Sequence, residues 1–371
     1  MKIFDQLLNS THPYLSEGNQ KLFYSSSFPF LLEDKWEFTS NFKKATLIPV
    51  ILDANPDDLK DVLEQITPDQ YILILGIYHI DDYMDKKFFK STIEKFKKYT
   101  NNVLLVHKNL NLAYETDDNI IYYDCMFNRH KVYYTEYERV AKIPDALWTR
   151  YASKESFSIP VSKKMPYRFN KKFLSTNLVY KGLHNSRMRY RAALHDFLEY
   201  NKLTEHGFIS SPANRFYSNN PSVMQIHDIN YGGGFWYPVA DSYYEQSFIS
   251  VYVETLTQSY HKVKCVTEKT FDPLIKGNFV WPFSYPGIIK DLKNFYNFKL
   301  PKEISYNYDD EIDNDIRFNK YVYGLKQLLN NSLNDLNKIY IKNKSILDHN
   351  RLVFFNRPYD KLYSKVLNKL N

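Results

Sequence analysis

The chain has 371 residues, 44% of them hydrophobic and 17% aromatic, with 33 Tyr and 26 Phe against 10 Gly and 16 Pro. That is apolar material for two cores, and it excludes a disordered, fibrous or linker-dominated chain. A net charge of +7, from 49 Lys+Arg against 42 Asp+Glu, favours phosphate-bearing partners, although a lysine-rich solvated surface gives the same balance.

Residues 1–43 show no clean period and read as an irregular entry. Ala45–Leu52 reads as a buried parallel strand ended by Asp53-Ala54-Asn55-Pro56, with Pro49 better suited to a sheet edge. Asp57–Ile66 has helical spacing through Leu59, Val62, Leu63 and Ile66. Tyr71–Ile80 is a second apolar strand, Phe88–Tyr99 a helix and Asn102–His107 a third strand. This alternation predicts a doubly wound parallel sheet.

From Asp124 to Pro166 the pattern weakens, which places a domain crossing near 145–170. The expected division is an N-terminal α/β domain over 1–160 and a C-terminal α/β domain over 161–371 with a helical tail. In the second domain Lys172–Thr176, Phe248–Val253 and Phe279–Phe283 read as strands. Ser186–Tyr200, Glu268–Lys276 and Pro286–Phe295 read as helices, the last begun by a proline. Asp315–Leu370 is mostly helical by period.

Cys125 and Cys265 are too few for a disulfide framework and fit a reduced cytosol. Met1–Gln6 lacks the apolar run of a signal peptide, and no stretch approaches the ~20 apolar residues of a membrane span. A cytoplasmic protein without integral membrane association is expected. Heavy use of Asn, Lys, Ile, Tyr and Phe fits an AT-rich coding genome of a host or virus, and if the chain is viral the cytoplasm expected is the host's.

The most informative stretch runs from Phe248 to Gly287. Glu254 ends a strand, and after a polar loop comes Val266-Thr267-Glu268-Lys269-Thr270. Thr267 stands where an N-cap is expected, with Glu268 and Lys269 in the first turn of a helix. Free N–H groups and the helix dipole at such a terminus suit a pyrophosphate, Lys269 adds a full positive charge, and a carboxylate there can accept from sugar hydroxyls. A strand end followed by a helix start is also where open α/β sheets bind ligands. Upstream, Phe173-Leu174-Ser175-Thr176 is followed by a helix bearing Arg187, Arg189 and Arg191. A guanidinium fork matches a diphosphate. Arg187 and Arg191 share a helix face, whereas Arg189 points elsewhere.

These residues resemble the donor-site signature of the α1,3-fucosyltransferase-like glycosyltransferases, including viral and phage members. There a strand ending in Phe-Glu-Asn-Ser/Thr is followed by Val/Ile-Thr-Glu-Lys opening a helix, and an Arg lies on an earlier helix. The resemblance covers roughly residues 173–300 and implies that Glu268 and Lys269 contact the donor nucleotide and its phosphates. It implies further that Glu254 braces the site and that Arg191, with Arg187 one turn earlier, holds phosphate. Thr255 stands where the family has Asn, and the loop from Glu254 to Glu268 is longer than the family's. The fold implied is GT-B-like, two Rossmann-like domains facing across a cleft.

Each residue also has a plain structural reading: a capping carboxylate and surface lysine for Glu268 and Lys269, a solvated helix face for the arginines, an ion-pair partner for Glu254. Gly232-Gly233-Gly234 lacks the strand–glycine–helix setting of a phosphate cradle and reads as a flexible loop. The ten His show no metal spacing, His227 and His261 included. The Asp-x-Asp of Asp313-Asn314-Asp315 follows no apolar strand and reads as a solvated loop, so no metal site is expected and no cofactor beyond the nucleotide-sugar co-substrate.

An inverting transfer requires a general base. Among Asp53, His79, Asp81 and Asp82, the pair Asp81 and Asp82 is preferred because it follows the most apolar strand. The expected function is a metal-independent, inverting glycosyltransferase moving a sugar from a nucleotide-sugar donor to an acceptor hydroxyl, with a glycan acceptor favoured by the resemblance. A phage-type DNA glycosyltransferase acting on a hydroxymethylated base is the alternative, using the basic charge and the aromatics. A non-catalytic nucleic-acid-binding protein is the alternative from another class, though no RRM, KH or zinc-finger signature is present.

Overall fold

The computed structural model of the chain describes residues 47–51, 56–76, 85–114, 117–135, 169–176, 189–211, 223–225, 241–254, 257, 264, 266–358, 365–366 and 368–369. The fold is α/β with parallel sheets. The described residues form two compact units. One takes those within Met1–Tyr151, His261–Cys265 and Tyr359–Asn371, the other those within Ala152–Tyr260 and Val266–Pro358.

The first unit contains β1 (Leu47–Ile51), a 3-10 turn (Pro56–Leu59) running into α1 (Lys60–Leu63), β2 (Tyr71–Gly76), α2 (Lys86–Phe96), β3 (Val103–His107), β4 (Ile120–Tyr122) and α3 (Cys125–Thr135). Its four strands are parallel in the order β1-β2-β3-β4. Ile72, Leu73, Ile74 and all of β3 are buried, as expected of strands covered on both faces. Among the described residues β1 pairs only with β2, so Pro49, in register with Leu73, lies on an edge strand where a missing N–H is tolerated. Asp85 starts α2 by accepting from Phe88 N at 2.8 Å, and Phe89, Ile93 and Phe96 face the core.

Two elements of this unit were not legible. β4 is only three residues long. The inward side of α3 carries Asn128, His130 and Lys131 beside Phe127 and Tyr134, all buried, so its hydrophobic period is blurred. The helix expected over 57–66 is shorter than its pattern. It begins as a 3-10 turn at Pro56 and ends at Leu63.

The second unit contains β5 (Lys171–Ser175), α4 (Arg189–Tyr200), β6 (Gly207–Ser211), β7 (Val223–Gln225), α5 (Asp241–Glu245), β8 (Ser247–Val253), α6 (Glu268–Ile275), β9 (Phe279–Phe283), α7 (Ile288–Asn294), α8 (Asn314–Leu329), α9 (Leu333–Lys342) and α10 (Lys344–Asn356). The sheet is parallel throughout in the order β7-β6-β5-β8-β9. Every residue of β8 and β9 is buried. β6 begins at Gly207 because a Cβ there would fall 2.3 Å from the Phe173 ring, and only glycine lets the strands pair around that ring.

β9 is the sheet's edge among the described strands and contains Pro282. Its outward carbonyls are covered: Tyr306 Oη donates to Val280 O at 3.0 Å and Tyr308 Oη to Pro282 O at 2.7 Å. These hydroxyls close an edge that would otherwise offer free acceptors. Trp281 packs among Tyr306, Tyr308 and Tyr321, and α8 approaches it closely at Gly324, where a Cβ would lie 3.2 Å from the indole. The helical stretch expected from Asp315 is broken by caps: Ser332 accepts from Asp335 N at 3.1 Å to start α9, and Asn343 separates α9 from α10. Among the described residues no helix is long and apolar enough to cross a membrane.

Candidate functional site

The second sheet builds outward from β5 through β6 to β7, then returns to add β8 on the opposite side of β5. Open parallel sheets leave a crevice beyond the carboxyl ends of the strands where the order reverses. Here that point lies between the ends of β5, at Ser175 and Thr176, and of β8, at Val253 and Glu254. The described strands of the first unit follow one another in sequence order and have no such reversal.

Glu254 is completely buried. Its carboxylate accepts three hydrogen bonds from the start of α6: Thr267 N at 3.1 Å, Thr267 Oγ1 at 2.6 Å and Thr270 Oγ1 at 3.1 Å. Because the Thr270 hydroxyl donates to Glu254, the 2.7 Å contact between Tyr252 Oη and Thr270 Oγ1 is donated by the tyrosine. Glu254 N donates to Phe283 O at 2.8 Å, which ties the end of β8 to the end of β9. Burial pushes the Glu254 carboxyl pKa upward and Glu268 adds to this, while the Lys269 charge and the Thr267 bonds pull it down. A buried carboxylate is tolerable there because the α6 dipole and donors face it. The anion held closest to this helix start is therefore the protein's own side chain.

Thr267 caps α6 as expected, its hydroxyl accepting from Lys269 N at 3.4 Å. Glu268 and Lys269 side chains, only 9% and 10% exposed, are ion-paired with each other. Pro273 inside α6 brings no N–H for the helical bond to Lys269 O.

Arg191 lies on α4, nearly fully buried, and its Nε donates to Val253 O at 3.2 Å. The structure thus brings Arg191, Glu254, Thr267, Glu268 and Lys269 to the end of one strand. Arg189 goes elsewhere: it is 62% exposed and donates to Asp315 Oδ1 at 2.7 Å, an oxygen that also accepts from Tyr190 Oη. That tyrosine bond is the main reason the Asp315 carboxyl stays below the usual carboxylate range.

The Asp-x-Asp stretch, expected as a loop, opens α8 instead. Asp313 is its N-cap, accepting from Asp315 N at 3.0 Å and Ile316 N at 2.9 Å. Among the described residues no group of three His, Cys, Asp or Glu is placed to hold a metal. Asp81, Asp82, Asp53, His79, Arg187, His227, His261 and Gly232-Gly233-Gly234 lie outside the described residues.

Sequence reasoning missed Tyr252 and Thr270, whose spacing within a strand and a helix gives no polar signal. It also missed His107 at the end of β3. His107 is 1% exposed, and its Nδ1 accepts from Asn109 N at 3.2 Å. Burial and the Lys365 charge push its pKa down to about 3, so the ring stays neutral with its proton on Nε2. With the Nδ1 lone pair engaged, His107 fixes the turn after β3.

No protein-family model, curated protein or solved structure matches this chain.

Proposed function

We propose that the chain is a glycosyltransferase whose second unit holds a nucleotide-sugar donor beyond the ends of β5 and β8. One observation carries this reading: the fully buried Glu254 locks the Thr267–Thr270 turn to the end of β8, so Lys269 and Arg191 converge on a single strand end at a reversal of strand order. Such a setting suits a diphosphate, because cationic side chains supply charge beyond the strand ends while the α6 terminus is held in place by Glu254.

In this reading Glu254 aligns the helix and does not touch the donor. Lys269 and Arg191, with Arg187, neutralise the nucleoside diphosphate as the glycosidic C–O bond breaks. The acceptor hydroxyl attacks the anomeric carbon from the opposite face, which inverts the configuration, and gives its proton to a carboxylate of the first unit, Asp81 or Asp82. The two units would form a GT-B-like pair of Rossmann-like domains working in the cytoplasm. No step needs a metal, and the acceptor class is a glycan.

A thermal-shift screen against UDP, GDP, CMP and dTDP sugars tests the reading. A ligand present at a hundred times its Kd stabilises the fold by about 2.7 kcal/mol, a readily measured shift. Transfer to a glycan acceptor should follow with the donor that stabilises most. Transfer only to hydroxymethylated DNA would replace the glycan acceptor, and a salt-dependent DNA gel shift with no sugar-nucleotide effect would replace the enzyme reading altogether.

A further inference from the structure

Arg317, in the first turns of α8, is 1% exposed, yet no carboxylate among the described residues hydrogen-bonds it. Its fork is spent on carbonyl oxygens. Nη1 donates to Glu311 O at 2.9 Å, and the two N–H bonds of Nη2 are shared among Ser284 O at 2.8 Å, Asn314 Oδ1 at 2.7 Å and Thr257 O. Nε has no partner among the described residues, and the guanidinium carbon lies 5.0 Å over the Phe283 ring. Burial lowers its pKa to about 10, which leaves it cationic at neutral pH.

Burying a cation whose hydrogen bonds all go to neutral acceptors is costly even with the Asp309 and Glu311 charges favouring it, and an apolar side chain beside Phe283 would avoid the desolvation. What the guanidinium supplies is connection. Ser284 directly follows β9, and Thr257 lies three residues beyond Glu254 on the segment leading to α6. Phe283 O already accepts from Glu254 N. Arg317 therefore adds a second tie between the segments leaving β8 and β9, and anchors both to the turn before α8.

We infer that Arg317 is a positioning residue: it holds the chain leaving β8 so that Glu254, Thr267 and Lys269 stay assembled at the strand end. Its relevance to donor binding rests on the glycosyltransferase reading, whereas its hold on the segment after β8 does not.

Arg317→Lys tests this. Lysine keeps the charge but ends one bond short of the Nη atoms, so its single ammonium falls near the guanidinium carbon and cannot take both the Nη2 position that bonds Thr257 and Ser284 and the Nη1 position that bonds Glu311. Hydrogen exchange on the full chain should become about tenfold faster in the peptide containing Glu254, Thr257 and Thr267, the equivalent of one lost charge-assisted hydrogen bond. Peptides from β5 and the second half of α8 should keep the wild-type rate. Equal acceleration throughout the second unit, or none, overturns the inference. Should the lysine variant not fold, Arg317→Met, which packs beside Phe283 without charge, carries the same comparison, and loss of fold in both variants also overturns it. Where the wild type shows a donor-induced thermal shift, Arg317→Lys should weaken donor affinity about tenfold, and undiminished affinity would remove the role in donor binding. A wild type stabilised by no sugar nucleotide would remove the glycosyltransferase reading, and the exchange result would still decide what Arg317 does.

Discussion

Glu254 and Thr267 are joined twice, once through the threonine backbone N–H and once through its hydroxyl, at 3.1 and 2.6 Å. This pairs the end of β8 with the start of α6 across a loop that the sequence leaves open. Glu254→Ala would strand buried donors on Thr267 and Thr270, each costing about 1–3 kcal/mol, and Thr267→Ala would lose a helix cap worth roughly 1 kcal/mol. In a urea-denaturation double-mutant cycle the two should couple by more than about 1 kcal/mol. Strictly additive losses would show that they do not act as a unit.

Lys269 is mostly buried and bonded to Glu268, so its removal acts on both packing and charge. Lys269→Met keeps the aliphatic stem and should weaken nucleoside-diphosphate binding roughly ten- to a hundredfold. It should also lower Tm by a few degrees because Glu268 loses its bonded cation, and adding Glu268→Gln should restore Tm without restoring binding. Unchanged turnover in the single variant would remove Lys269 from the donor site.

Arg191 and Arg189 are two positions apart and do opposite things. Arg191→Lys loses the planar fork beside Val253 O and should weaken donor binding roughly tenfold or more in calorimetric titration. Arg189→Lys affects an exposed pair with Asp315, and exposed pairs are worth about 0–1 kcal/mol, so it should be nearly silent. The reverse pattern would put the phosphate contact on the wrong face of α4.

Asp309 is buried, accepts from Ile289 N at 2.9 Å, and burial pushes its carboxyl pKa up to about 7 from an ordinary 3.8. Between those two values the folded state binds more protons than the unfolded chain, so stability falls as pH rises, and the penalty is complete above pH 7. Asparagine mimics the protonated acid and keeps an oxygen for Ile289. Asp309→Asn should therefore match the wild type at pH 3.5 and exceed it at pH 8 by about 1–4 kcal/mol, measured by denaturant titration. A constant difference at all pH values would mean that Asp309 does not titrate in this window.

Asp313 and Asp315 are committed to capping α8 and to pairing with Arg189 and Tyr190. Chelation by EDTA should leave sugar transfer unchanged. Complete loss of activity restored by Mn²⁺ would identify a metal requirement served by other residues.

Where side-chain period and capping chemistry are local, the sequence carried the structure. The apolar runs gave β2, β3, β8 and β9, and Thr267-Glu268-Lys269 marked the start of α6 to the residue. Asp85 and Ser332 set helix starts by the same chemistry, though α2 begins two residues before the expected Phe88 and Ser332 falls inside a stretch expected as mostly helical. What no local pattern could give was which strand lies beside which. The return of β8 to the side of β5 sets the crevice, and it depends on register between segments far apart in the chain. That placement also decided that Arg191 meets Val253, that Glu254 turns its carboxylate onto the start of α6, and that Arg317 lies buried. In a sequence Arg317 reads as an ordinary charged residue, because a charge signals solvent until folding surrounds it with enough donors or carbonyls to replace the water.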